Sequence, residues 1–325
     1  MLPELSIVIC THRRFELLEG AVASLADQEP VESAFEVLVV DNDTQPNARV
    51  QAVVERYQPM LDIRYLHEGR LGLSHARNTG GQAARAEYVA YIDDDARADA
   101  NYVAAAVDVI RAIAPRMCGG PYYPFYLDSK PAWFKDEYGM SSLGDRARWL
   151  NAREYLTGGN FIVTRTFLDA CQWFDPSLGM SGKRVWYGEE TKVQMDAHEM
   201  YGGDARIYYD PRIAVQHLVP LRKMSVAWRL RSAFQSGGSQ AYFWGPAAPP
   251  SAIRSMYGAL RTLLVLVLRD SFRLWLRDRT AYPHWQNYAY ERVAKQCRVL
   301  GAQLRYTTDS WKRAAPFFAR EGHPR

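Results

Sequence analysis

Tyr88-Val89-Ala90-Tyr91-Ile92-Asp93-Asp94-Asp95 runs through five apolar or aromatic residues and stops on three acids. The run reads as a buried strand, and like charges packed at its end are unfavourable unless a cation or a cluster of donors offsets them. A divalent ion on oxygen ligands, Mn2+ or Mg2+, is the simplest resolution, and beside a parallel sheet such an ion serves to hold a diphosphate. A solvated acidic turn is the plainer alternative.

The chain on the N-terminal side repeats one rhythm. Leu5–Cys10 is apolar and ends at Thr11-His12-Arg13-Arg14, Phe35–Val40 ends at Asp41-Asn42-Asp43, and Ile63–Leu66 makes a third short strand. Between them Phe15, Leu17, Leu18, Ala21, Val22 and Leu25 recur at helical spacing, residues 47–57 look helical, and a helix is expected from about Gly72 to Arg85. Alternating strand and helix predicts an α/β fold, a mainly parallel sheet flanked by helices, and ligands bind at the carboxyl ends of such strands. The clusters at Thr11–Arg14, Asp41–Asp43 and Asp93–Asp95 would then share one edge. Asp41 there suits a base or ribose, although a turn-forming role fits it as well; Arg77, in Ser74–Gly80, suits a phosphate or ribose.

Beyond a helix over Val103–Ile113 the chain becomes loop-rich and aromatic (Tyr122, Tyr123, Phe125, Tyr126, Trp133, Phe134), either core or a platform for sugar rings. Gly158-Gly159-Asn160 opens a strand. Trp186-Tyr187-Gly188 precedes Glu189-Glu190 at the start of a helix, where paired acids either sit in a charged first turn or supply a general base. His217 ends a further strand-like run and is a structural histidine or a metal ligand.

The 325 residues are 48% hydrophobic and 23% charged, which excludes disorder and collagen-like fibres. Four dispersed cysteines suggest neither a disulfide framework nor a cysteine zinc site, so a reducing cytoplasm is expected, and the N-terminus lacks the pattern of a signal peptide. Residues 1–211 hold 21 Lys and Arg against 31 Asp and Glu, a net −10; residues 212–325 hold 19 against 5, a net +14. The tail therefore favours an anionic partner. No nucleic-acid motif accompanies the charge, so nucleic acid is not expected. Residues 222–236 read as a basic helix, Gly237-Gly238 and Gly245–Pro250 as a linker, and residues 252–278 as an amphipathic helix with Leu260, Leu263, Leu264, Val267, Leu274 and Trp275 opposite Arg261, Arg269, Arg273 and Arg277. Three readings of that helix stand: leucines packed on the catalytic core, a peripheral contact with the inner face of the cell membrane, or a groove for a lipid-diphosphate acceptor.

Thr11-His12-Arg13-Arg14, Val39–Asp43, Ala76–Gly80, Tyr91–Asp95, Gly158-Gly159-Asn160 and Gly188-Glu189-Glu190, in this order over roughly residues 5–218, resemble the family 2 inverting glycosyltransferases. The tail resembles the C-terminal extensions of bacterial members that build surface polysaccharides. The resemblance implies a GT-A (Rossmann-like) catalytic domain over 1–218, with a nucleotide-sugar half to about 98 and an acceptor half over about 99–218, followed by a basic helical extension over 219–325. It implies a nucleotide-diphosphate sugar donor, a UDP-sugar first among them, Mn2+ or Mg2+, and a saccharide or lipid-linked acceptor. Nucleotide-sugar contacts fall on Thr11, Arg13, Asp41, Asp43, Arg77, Asp93, Asp94, Gly159 and Asn160, with Gly158 lining the same side. Asp93, Asp95 and His217 would hold the metal. Glu190 is the aligned base, but Glu-Glu stands where the family commonly has Glu-Asp, leaving Glu189 as a second candidate. A sugar-phosphate nucleotidyltransferase would want glycine in the loop after the first strand, and Thr11–Arg14 has none. A non-catalytic nucleotide-sugar-binding module would need neither the aspartate run nor the glutamate pair.

Overall fold

The computed structural model describes residues 2–30, 35–181, 184–185, 188–244 and 250–318. The Trp186-Tyr187 turn and the Gly245–Pro249 part of the expected linker lie outside them. The chain forms two compact units, one of Met1–Phe125 with Asp136–Leu218, the other of Tyr126–Lys135 with Val219–Arg325.

In the first unit β1 (Leu5–Thr11), α1 (Phe15–Ala26), β2 (Phe35–Asp41), α2 (Ala48–Tyr57), β3 (Ile63–His67), α3 (Leu73–Ala83) and β4 (Tyr88–Asp93) follow the predicted alternation. After them come β5 (Ala96–Ala98), α4 (Tyr102–Ile113), β6 (Met117–Gly119), β7 (Tyr122–Phe125), β8 (Arg148–Trp149), β9 (Asn160–Thr164), α5 (Arg165–Ala170), β10 (Met180–Ser181), β11 (Arg184–Val185), α6 (Glu189–Tyr201), β12 (Ile207–Tyr209) and β13 (Val215–Leu218). Eight strands join in the order β3-β2-β1-β4-β9-β6-β12-β8, and a small sheet runs β5-β13-β7. β1 to β4 pair in parallel, whereas β9 runs antiparallel to both β4 and β6.

The continuous apolar strands are explained by burial on two faces. Val37 and Val39 face a core shared with α1, α2 and α4, while Leu38 and Val40 face another that includes Ala76 of α3 and Val193 of α6. Each such buried side chain contributes about 1.5–3 kcal/mol. Register then aligns the strand ends, with Thr11 opposite Asp41 and Cys10 opposite Asp93. The expected polar clusters do converge on one edge.

The second unit holds α7 (Val226–Trp244), α8 (Ala252–Leu264), a wider π-helical stretch (Val265–Asp270), α9 (Ser271–Trp275), α10 (Trp285–Tyr288) and α11 (Ala294–Phe318). Gly237-Gly238, read as linker, lies inside α7. A Cβ on Gly237 would fall 1.9 Å from the Arg298 carbonyl oxygen, and one on Gly301 2.0 Å from that of Phe234. The glycines are therefore where two helix backbones cross closely, not a break. The leucines of the expected amphipathic helix are not the side buried within this unit. α8 buries Ser255, Ala259 and Thr262 and leaves Leu260, Leu263 and Leu264 exposed. No helix among the described residues is long and apolar enough to cross a membrane.

Candidate active site

The three aspartates split where the chain leaves the strand: Asp93 closes β4, and Asp94 and Asp95 make the turn into β5. Asp94 turns inward, accepting from the Thr11 hydroxyl at 2.8 Å and from Arg14 Nη1 at 3.1 Å. Burial raises its carboxyl to about 6, against the pull of Arg14. Asp93 and Asp95 instead face His217. β13 runs antiparallel to β5 with His217 opposite Ala96, which brings Nε2 to 3.3 Å from Asp95 Oδ1 and 3.6 Å from Asp93 Oδ2. One ligand atom from each of the three lies within 4.8 Å of the others. Two carboxylates and an imidazole at that spacing fit a divalent ion that keeps further positions for phosphate oxygens.

Arg77 occupies the centre. Gly80, one turn on, lets α3 lie against the sheet, since a Cβ there would meet Val8 Cγ1 at 2.4 Å. The buried guanidinium donates to Glu189 Oε1 at 2.8 Å and to the Gly158 carbonyl at 2.9 Å, with Asp93 Oδ1 3.7 Å away. Burial alone would lower its pKa, but the carboxylates of Glu189, Asp93 and Glu190 outweigh that and raise it. Arg77 is thus a permanent cation whose strongest partner is Glu189.

Glu189 and Glu190 begin α6 directly after Gly188, whose φ of +119° lies in the left-handed region that favours glycine. Glu189 is buried in its ion pair with Arg77. Glu190 keeps part of its surface open. The packing that strips it of water, together with the Glu189 charge, pushes its carboxyl up to about 7. A Cβ on Gly158 would lie 3.0 Å from Glu190 Cδ, and one on Gly159 2.6 Å from Asp93 Oδ2. Successive glycines therefore press against Glu190 and then against the Asp93 carboxylate, an approach that only missing side chains permit.

Other expected contacts are occupied within the protein. Asn160 is buried and donates to the carbonyls of Pro121 and Ile213 at 2.9 and 2.8 Å, clasping two loops together. Arg13 and Asp43 bind each other through two hydrogen bonds of 2.6 and 2.9 Å. Asp41 Oδ2 accepts from Asn47 N–H and the Tyr65 hydroxyl, while Oδ1 is buried with no hydrogen-bond partner among the described residues. Sequence reasoning missed Arg14, which bridges Asp94 and Asp95, and Gln194, which ties Leu156 to α6 through both amide atoms. Gln194 had a signal, lying one turn after Glu190 on the same helix face.

Comparison with known proteins decides the family: residues 6–171 match the model of glycosyl transferase family 2. The chain belongs to glycosyl transferase family 2. This glycosyltransferase is 29% identical over 236 residues to the succinoglycan biosynthesis protein ExoM of Rhizobium meliloti, covering 72% of each chain. It is 25% identical to the glucosyl-dolichyl phosphate glucuronosyltransferase of Haloferax volcanii, over 85% of this chain and 88% of that one. Among solved structures, the mannosyltransferase PcManGT of Pyrobaculum calidifontis, in complex with GDP-Man and Mn2+, superposes with a TM-score of 0.57 at 16% identity over 95% of this chain and 88% of that one. TarS 1–349 of S. aureus with UDP-GlcNAc gives 0.54 at 15% identity over 99% and 93%. The fold is GT-A, as the sequence motifs implied.

Proposed function

We propose that this glycosyltransferase is metal-dependent and inverting, and that it moves a sugar from a nucleotide-diphosphate donor, first among them a UDP-sugar, to a hydroxyl of a growing polysaccharide or lipid-linked saccharide. The reading rests on Gly158-Gly159. Adjacent backbone positions there lie against a carboxyl of raised pKa and the carboxylate of an Asp-Asp-His cluster, which supports a base beside a leaving-group site. Asp93, Asp95 and His217 would hold Mn2+ or Mg2+; when bound, the ion neutralises charge on a departing diphosphate. Glu190 takes the proton from the acceptor hydroxyl, its pKa placed near neutrality for that task. Glu189, held by Arg77, keeps its neighbour's pKa high and positions the guanidinium. No protein nucleophile is required, so displacement is single and the anomeric configuration inverts.

The unpartnered Asp41 Oδ1 suits a donor group on the nucleotide base. The name of ExoM supports a polysaccharide acceptor, and the basic second unit supports work on the cytoplasmic side with peripheral membrane contact. Incubation with Mn2+ and a panel of nucleotide sugars, following release of nucleotide diphosphate and the anomeric configuration by NMR, tests the proposal. Release from at least one donor with an inverted product is expected. A retained configuration, or no release from any donor with any hydroxyl acceptor, would overturn it.

A further inference from the structure

The second unit wears one helix inside out. Along Ala252–Leu276 the large apolar residues Ile253, Tyr257, Leu260, Leu264, Val267 and Trp275 recur at helical spacing and are all exposed, Ile253 at 78%, Val267 at 63% and Trp275 at 75%. The buried positions of the same stretch are Ser255, Ala259, Thr262 and Asp270. A water-facing helix turns its apolar side inward. Isolated exposed leucines need no explanation, but a continuous stripe over some two dozen residues marks an interaction surface.

Charge says what covers it. The region 212–325 holds 19 Lys and Arg against 5 Asp and Glu, and Arg254 and Arg261, both exposed, border the stripe. A second copy of the chain would bring two basic rims together, whereas an anionic leaflet complements them. A cavity of about 460 Å³ lies against the C-terminal part of the same stretch, where the exposed Leu276 is one of its lining residues. Arg269, Arg273, Arg292 and Lys295 line it with Asp270. Arg269 is engaged by Asp270 at 2.8 Å, and Arg292 donates to the Tyr282 hydroxyl at 3.0 Å. Arg273 and Lys295 make no ion pair among the described residues. Cations in excess of acids in a cavity adjoining an apolar face suit a phosphate group carried on a hydrophobic tail.

We infer that the second unit docks on an anionic phospholipid surface through the Ile253–Leu276 stripe, with a lipid phosphate seated in the Arg273–Lys295 cavity. This deepens the peripheral-contact part of the proposed function and is independent of sugar transfer, so its test uses no sugar. Co-sedimentation of the full chain is measured with vesicles of phosphatidylcholine, with vesicles that also contain phosphatidic acid, and with soluble inorganic pyrophosphate as competitor. Phosphatidic acid should tighten binding about tenfold, and Leu260→Glu/Leu264→Glu should weaken it by about tenfold or more. Both leucines are exposed, so the variant should keep its helical circular dichroism; Trp275→Glu gives a second reading if it does not. Arg273→Ser/Lys295→Ser should abolish the preference for phosphatidic acid and keep the weaker binding to phosphatidylcholine. Equal vesicle binding by wild type and the stripe variants overturns the inference, as does failure to bind either vesicle. Complete displacement by pyrophosphate assigns the cavity to free phosphate and overturns the lipid assignment. A dimer that the stripe variants dissociate with vesicle binding unchanged assigns the face to a second copy and likewise overturns it.

Discussion

The two adjacent glutamates should respond in opposite ways to the same change. Glu190→Gln removes the proposed base, and loss of general-base catalysis costs about 10²–10⁴-fold in rate. It also removes a carboxyl that the fold holds uncomfortably. Its pKa in the folded chain is about 7 against an ordinary 4.5, so folding favours its protonated form. That contribution to stability is complete below 4.5 and is lost as pH rises through about 7. The gap corresponds to about 3 kcal/mol, reduced to about 2 because Glu190 is partly exposed. Glu190→Gln should therefore melt higher than wild type at pH 8 and level with it at pH 4. Glu189→Gln leaves Arg77 buried beside a neutral amide in place of its 2.8 Å ion pair. It should cost about 3 kcal/mol, at roughly 2–4 °C per kcal/mol. Thermal melts at the two pH values, with nucleotide-diphosphate release on the same samples, read both effects. Wild-type transfer should rise with pH up to about 7 and then level. A Glu190→Gln enzyme keeping more than a tenth of wild-type activity, or melting lower than wild type at pH 8, would refute the assignment.

Gly159→Ala should act on the proposed metal site more than on the fold, because its Cβ would stand 2.6 Å from Asp93 Oδ2; Mn2+ affinity by calorimetry should fall about tenfold while the melting temperature stays within a few degrees. Chelation with EDTA should abolish transfer and Mn2+ should restore it, whereas His217→Ala should shift the Mn2+ concentration needed for half-restoration upward by roughly tenfold. Gly237→Ala places a methyl 1.9 Å from the Arg298 carbonyl oxygen, so α7 and α11 must separate; about 2–3 kcal/mol of the second unit's stability should be lost, visible as faster limited proteolysis within residues 219–318.

What could be read from the sequence was local. Each apolar run that ends on polar residues announced a strand terminus, and parallel topology sufficed to bring Thr11, Asp41 and Asp93 together, because hydrogen-bond register follows from short, similar strands. That Asp93 closes a strand was legible in the apolar run before it, whereas the split between Asp94 and Asp95 belongs to the turn into β5 and follows no strand alternation. Nor were the partners legible. Arg14 reaches Asp94 across 80 residues and Gln194 reaches Leu156 across 38, and no local pattern encodes either pairing. The difference between Glu189 and Glu190 on which the proposed base rests was hidden for the same reason: it depends on Arg77, which lies 112 residues from Glu189.

The tail shows a deeper limit. Periodicity identified two faces of the 252–278 helix but not which one turns inward, and polarity pointed the wrong way. Size decided it. Gly258, whose Cβ would lie 2.8 Å from Gln303 Oε1, shares the inner side with Ser255, Ala259 and Thr262, and these short side chains let α8 approach α11 closely. A large residue there would hold the helices apart and forfeit the contacts. Close packing of small residues here outweighs the burial of leucines, and the proposed lipid surface would offer those leucines another apolar phase. The exposed stripe and the small-residue seam are then two consequences of one arrangement. Gly258→Leu, which alters only the seam, should loosen α8 and weaken vesicle binding by several-fold although it touches no stripe residue. Unchanged vesicle binding with α8 measurably more open to proteolysis would show that the stripe needs no fixed helix behind it, and this account of the seam would be wrong.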